Sequence, residues 1–173
     1  MNTIGTTADL SRFTGTWKLD PQKTSIALRT KAMWIFTVKG TIKALSGDAV
    51  IGSDGGASGT LVIDTASLDT KNKKRDEHLR TDAILGATTH PTMVFEATSA
   101  HPGSGLMEIH GTLAVRGRAQ PLILHAQISG SEDSATVSTN VEIDRRLWGI
   151  TWGAKMGAAL KNQVTITARF NRT

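Results

Sequence analysis

Apolar and polar residues alternate along much of this chain with a period of two. The clearest run places Met107, Ile109, Gly111, Leu113 and Val115 on one face and Glu108, His110, Thr112, Ala114 and Arg116 on the other. Arg116–Gly117–Arg118–Ala119–Gln120–Pro121 then turns the chain. Leu122, Leu124, Ala126 and Ile128 resume the apolar face, opposite Ile123, His125 and Gln127. A period of two is the signature of a half-buried strand, so this stretch predicts a hairpin with one apolar side. The same alternation recurs at Ile26–Leu28, at Leu61–Ile63 and at Met93–Phe95–Ala97. It returns at Val137–Thr139–Val141–Ile143 and at Val164–Ile166–Ala168–Phe170.

Gly- and Ser-rich clusters separate these runs: Gly52–Gly59 (GSDGGASG), His101–Gly105 (HPGSG) and Ser129–Ser134 (SGSEDS). Repeated short strands with such turns indicate a sandwich or a barrel. About eight strands are expected, the number at which a closed barrel can hold one small ligand. The inward faces mix large residues (Leu28, Phe95, Leu113) with small ones (Gly111, Ala97, Ala126, Ala168). Small inward residues leave room for an apolar pocket, although the taper of a filled barrel gives a similar mixture. One segment departs from the alternation. Thr70–Gly86 (TKNKKRDEHLRTDAILG) predicts one or two helical turns over Arg75–Arg80, begun at Thr70 or Asn72. Such a helix across one end of a barrel would bring Leu79, Ile84 and Leu85 over its mouth.

Composition narrows the class. The chain has 173 residues, 39% hydrophobic and 20% charged, which suits one folded domain. We expect a single domain over 1–173, with 1–12 as a flexible N-terminal segment. No run approaches the ~20 apolar residues of a membrane-spanning helix. Met1–Arg12 shows no basic and apolar leader pattern, so a cytoplasmic location is expected. There is no cysteine, which excludes disulfides and thiolate chemistry. The net charge of +5 and pI near 9.8 can signal nucleic acid or an anionic membrane. Here the charges are dispersed, and the densest run (Lys71, Lys73, Lys74, Arg75) is followed at once by Asp76 and Glu77. No nucleic-acid partner is expected, since the β-sheet modules that bind it need exposed aromatics among basic residues.

The chain carries little that resembles catalytic machinery. Its five histidines (78, 90, 101, 110 and 125) show no HxxxH or HExxH spacing, so no metal site is expected. His110 and His125 are expected to face each other across the hairpin, on its polar side. No GxSxG elbow or phosphate-binding loop occurs. Asp76–Glu77 and Glu132–Asp133 are adjacent carboxylates that do not converge on one bond. The four Trp and four Phe read as interior or cavity groups: Trp34 and Phe36 lie in the nearly uncharged Ala32–Val38, and Trp148 and Trp152 flank Gly149–Ile150–Thr151.

At this point the motifs resemble the YceI-like family of lipocalin-like polyisoprenoid-binding proteins. Trp17–Lys18–Leu19–Asp20–Pro21 with Ser25–Ile26 is similar to its opening element. Val38–Lys39–Gly40 with Ser46–Gly47 is similar to its next strand. Thr70, Asn72, Arg75, Asp76, His78 and Leu79 match its Thr-x-Asn-x-x-Arg-Asp-x-His-Leu signature, the most specific piece. Pro91 with Phe95–Glu96, then Gly111, Leu113, Gly117 and Pro121, then Asp144–Arg145 with Gly149, follow in order. The resemblance runs from about Gly15 to Phe170. Two departures stand out: Lys31–Ala32 where the family often has a histidine, and Ile84–Leu85 where an aromatic pair is usual.

The resemblance implies an all-β, eight-stranded antiparallel lipocalin-like barrel with a short helix over one end. It also implies a long polyisoprenoid or isoprenoid quinone inside, held as ligand rather than as a catalytic cofactor. The residues expected to line the tube are Ile26, Leu28, Met33, Trp34, Phe36, Leu79, Ile84, Leu85, Met93, Phe95, Leu113, Leu122, Leu124, Trp148 and Trp152. Arg75, Asp76 and His78 are expected to anchor the helix, with a head-group contact as a second role. The expectation is a non-enzymatic lipid carrier, store or sensor; transient membrane contact and a homodimer are further partners. An enzyme acting on a lipid or quinone, and a basic surface binding nucleic acid or an anionic membrane, are the alternatives.

Overall fold

The alternating runs become nine antiparallel strands in a computed structural model that describes residues 9–173. They are β1 (Gly15–Leu19), β2 (Ser25–Ala32), β3 (Phe36–Ile51), β4 (Ala57–Asp69), β5 (Thr92–Pro102), β6 (Met107–Val115), β7 (Arg118–Gly130), β8 (Ser134–Asp144) and β9 (Lys161–Arg172). Both β1 and β2 pair with β3 on one side and β9 on the other. They therefore form one stave broken in two, and the sheet closes as an eight-stave up-and-down barrel. Closure leaves no unpaired edge. The break is a 3₁₀ turn at Pro21–Lys23, capped by Asp20, whose side chain accepts from the Gln22 amide at 3.1 Å. The Asp-Pro of the opening motif thus interrupts a strand without breaking the barrel wall.

At one end of the barrel, here the upper end, lie the β2–β3 turn, the 70–91 crossover, the Arg116–Gly117 turn and the 145–160 segment. The lower end carries the turns at 52–56, 103–106 and 131–133, and residues 9–14. The crossover contains α1 (Lys73–Leu79), whose N-cap Asn72 accepts from the Arg75 amide at 3.0 Å.

Two interior clusters fill the upper barrel and reach down to the middle of it. One gathers Ile26, Ile42, Ala44, Ile63 and Leu68 with Leu19 and Ala168. The other gathers Ile84, Phe95, Leu113, Val115, Leu124, Trp148 and Ile150. Leu79, Leu85 and Met93 pack against both, so the crossover closes the upper end from inside. A third cluster of Phe13, Trp17 and Ala135 closes the lower end.

Two expectations need correction. The Gly52–Gly59 cluster is not all turn: the turn spans 52–56, closed by Gly52 N donating to Gly56 O at 2.7 Å, and Ala57 already pairs with Ile51. His125 lies opposite Glu108, and His110 opposite Ile123, because the tight two-residue turn sets the register two residues away from a histidine pair. The expected flexible segment 1–12 falls partly outside the described residues. Within it, Leu10 packs against the lower cluster and Ser11–Phe13 form a 3₁₀ turn.

Candidate functional site

The lower half of the barrel holds a partly open cavity of about 150 Å³. Its origin is a set of small inward residues. On β4, β5 and β6, Gly59, Ala97 and Gly111 stand side by side in register. Ala49 on β3, Ala135 on β8 and Ala168 on β9 continue this lining around the wall. Larger side chains close the space above and at the sides: Leu61, Phe95, Ile109, Leu124, Ile166 and Phe170. Gly111 serves packing rather than space, since a Cβ there would come within 2.8 Å of the Phe95 ring and 2.2 Å of the Glu96 carbonyl. The lining is almost wholly apolar. Thr139 presents a hydroxyl there, but it already donates to the His125 carbonyl at 2.9 Å.

Leu10, Phe13 and Trp17 border the cavity from below. The Trp17 indole donates to the Phe13 carbonyl at 2.7 Å. Arg172 lies over the Trp17 ring at 4.3 Å and its guanidinium donates to the carbonyls of Thr14 and Arg12. Arg12 in turn reaches the Gly130 carbonyl at 3.1 Å. This strap is fixed by hydrogen bonds to backbone and by stacking, not by an extensive buried core, as its short length dictates.

The structure distributes the sequence-expected residues over three locations. Phe95 and Leu124 line the cavity. Ile26, Leu28, Leu79, Ile84, Leu85, Met93, Leu113, Leu122 and Trp148 lie in the packed clusters above it. The Trp148 indole donates to the Leu113 carbonyl at 2.8 Å, tying the 145–160 segment to β6. Met33, Trp34 and Phe36 are not interior groups. They stand 60%, 76% and 59% exposed around the β2–β3 turn, because Met33 and Trp34 adopt left-handed backbone (φ 51° and 62°) and turn the chain beyond the barrel rim. Trp152 is also partly exposed and meets His78 edge-on, with ring centroids 4.5 Å apart.

Phe13, Trp17, Ala49, Ala57, Gly59 and Ala135, none of them among the residues expected to line the tube, form much of the cavity. The available signal is the concentration of Ala and Gly at inward positions, of which Ala97 and Ala168 are examples. Ala57 and Gly59 were hidden because a glycine-rich run reads as turn.

The signature around α1 builds a clamp. Buried Asp76 accepts from the Thr70 amide at 3.0 and 3.1 Å and from the Thr70 hydroxyl. Arg75 donates to the same hydroxyl and to the Thr70 carbonyl, both at 2.8 Å. Arg80 donates to the Ala66 and Leu68 carbonyls at 2.9 Å each. Arg75 and Asp76 thus hold the crossover that carries Leu79, Ile84 and Leu85 inward. Arg145 plays the same part for 145–160. It donates to the carbonyls of Ala159, Ile150 and Ala158, and partial burial pulls its pKa below the usual arginine range. Asp144 beside it is lowered to about 2, chiefly by its hydrogen bond from Arg146.

The match to known proteins agrees with this architecture. The YceI-like domain family model matches residues 17–171. The chain belongs to the YceI-like family. A UPF0312 protein of Vibrio cholerae is 26% identical over 110 residues, 62% of this chain and 58% of that protein. Protein YceI of Shigella flexneri is 34% identical over 73 residues, 42% of this chain and 38% of that protein. The chain therefore spans little more than half, or less, of the curated relatives it matches. Among solved structures, a polyisoprenoid binding domain from Saccharophagus degradans superposes with a TM-score of 0.74 at 16% identity, covering 91% of this chain and 98% of that one. Burkholderia cenocepacia BcnA gives 0.79 at 18% identity, covering 87% and 98%. At these identities the likeness is one of fold: an antiparallel lipocalin-like barrel with a short helix.

Proposed function

We propose that this YceI-like barrel binds an apolar isoprenoid-type lipid, a polyisoprenoid or the tail of an isoprenoid quinone, and performs no chemistry on it. The observation that carries this reading is the cavity lined by Ala49, Gly59, Ala97, Ala135 and Ala168 inside an otherwise packed barrel. Filling the inward alanines with larger apolar residues would stabilise the fold, so keeping them small favours space over stability; Gly59 instead serves close strand approach, since a Cβ there would come within 2.6 Å of the Asp48 carbonyl. The solved polyisoprenoid binding domain of the same fold supports the class of ligand.

The volume sets the scale. An apolar cavity of ~150 Å³ takes a molecule of about benzene size, so the barrel as it stands seats one end of an isoprenoid chain. A longer tail enters when the Leu10–Phe13 strap swings away, since that strap forms the cavity's lower border. Each methylene buried contributes ~0.8 kcal/mol before the costs of binding, which lets a tail bind without polar anchors. Among the described residues, the groups with shifted pKa (Asp9, Asp69, Asp144, Arg145 and Arg146) lie outside the cavity lining, which supports binding over turnover.

Mass spectrometry of small molecules extracted from the purified protein tests this. Recovery of an isoprenoid lipid is the expected result. An empty preparation that also fails to take up isoprenoid quinones would refute it. Turnover of a lipid or quinone substrate would replace binding with catalysis.

A further inference from the structure

The upper end carries an apolar projection that neither the barrel core nor the cavity uses. Met33, Trp34, Ile35 and Phe36 follow one another around the β2–β3 turn, with Trp34 and Ile35 each 76% exposed. Met156, 62% exposed, belongs to the adjoining 145–160 segment. The two are in contact: a Cβ built on Gly157 would come within 3.0 Å of the Trp34 ring and 2.8 Å of the Met33 Cα. The Ala159 amide also donates to the Lys31 carbonyl at 2.9 Å. The projection is therefore braced against a second loop. Large apolar side chains displayed together in water mark an interaction surface.

Charge decides which partner fits. Residues 25–47 and 145–173 contain no Asp or Glu. Lys31 flanks the turn on one side and Lys39 on the other, and Lys155 adjoins Met156. All three are exposed, and among the described residues none of them forms an ion pair. The Lys31 ammonium donates to the Thr37 hydroxyl across the turn, at 2.8 Å. A tryptophan-tipped apolar wedge ringed by lysines matches the two layers of an anionic bilayer surface. The indole and aliphatic groups enter the headgroup boundary while ammonium groups meet the phosphates. A second copy of the chain would bring the same lysines against each other, which disfavours a symmetric pair at this face.

We propose that the Met33–Phe36 turn, with Met156 and the lysines around it, docks the protein on anionic lipid membranes. The surface lies at the end opposite the cavity, so docking is separate from occupancy of the barrel. The Leu79–Ile84–Leu85 layer lies between them.

The test uses the full chain, free of added isoprenoid, with vesicles of phosphatidylcholine alone and with phosphatidylserine added. Expected is co-sedimentation with the anionic vesicles that weakens as salt rises. Brominated lipid should quench tryptophan fluorescence, and Trp34→Ser should remove most of that quenching, since Trp17 and Trp148 are buried and Trp152 is 38% exposed against 76% for Trp34. Trp34→Ser with Ile35→Ser should weaken binding about tenfold or more. Lys31→Glu or Lys155→Glu should each weaken it by about fivefold or more. An unchanged thermal midpoint shows that the variants fold. No sedimentation at low salt, or binding that persists in the Trp34/Ile35 double variant, would overturn the proposal. So would a dimer that the double variant dissociates and that binds no vesicles, because the patch would then belong to a second copy. Filling the cavity by Ala97→Leu should leave vesicle binding intact, which separates this surface from the barrel reading.

Discussion

Ala97→Leu is the most direct probe of the cavity. Ala97 projects inward on β5, between Gly59 of β4 and Gly111 of β6, so its immediate neighbours in the sheet offer no competing side chains on that face. Leucine adds three carbons to a cavity of about 150 Å³. Burying them gains at most ~2.4 kcal/mol, at ~0.8 per methylene. Fixing the leucine rotamer costs ~0.5–1 kcal/mol, and an imperfect fit against the Phe95 ring takes back part of the rest. The expected net is a stabilisation of about 0.5–1.5 kcal/mol. With a urea m-value of ~2 kcal/mol/M, the midpoint rises by roughly 0.25–0.75 M. Isoprenoid uptake, read by quinone absorbance after gel filtration, should fall about tenfold or more, since the ligand loses the contacts of more than two methylenes. Two results would refute the reasoning. A fall in stability of more than ~2 kcal/mol would mean that the space around Ala97 is already filled. Undiminished uptake in a stabilised variant would place the ligand elsewhere.

Two further perturbations address the clamp and the rim. Asp76→Ala removes a buried acceptor of the Thr70 amide and hydroxyl. Hydrogen bonds to a charged group contribute ~1.5–3 kcal/mol, and the orphaned amide adds to the loss. Urea denaturation should show destabilisation of about 2–4 kcal/mol; a loss under ~1 kcal/mol would remove the clamp role. At the rim, Asp144 titrates at about 2 because Arg146 donates to it. A lowered carboxyl favours the folded state above its unfolded value, ~3.9, and that contribution disappears as pH falls through about 2. Arg146→Ala should move the Asp144 midpoint, followed by carboxyl NMR, up towards ~3.9; an unmoved midpoint would assign the shift to another cause.

The barrel was legible because period-two alternation is a local property that survives into the fold. Met107, Leu113, Val115, Leu124 and Ala126 are buried as the β6–β7 pattern required, and register follows from a two-residue turn. The helix start was legible for a similar reason: Asn72 caps through its own neighbours. The ordered motifs carried the family, and the clamp at Thr70–Asp76 shows why that signature is legible: its side chains hydrogen-bond within six residues of themselves.

Tertiary structure decided where the interior is empty. Alternation marks a residue as inward but does not say at what height in the tube it stands. Leu79, Leu85 and Met93 fill the upper barrel, while the glycine and alanine positions that leave space cluster below. Met33, Trp34 and Phe36 show the same boundary from outside. Their apolar character is plain in the sequence, but left-handed backbone at Met33 and Trp34, in residues that rarely adopt it, carries them past the rim. Hydrophobicity is fixed residue by residue. Whether it faces a core, a cavity or the solvent depends on the path of the whole chain, and in this barrel all three occur.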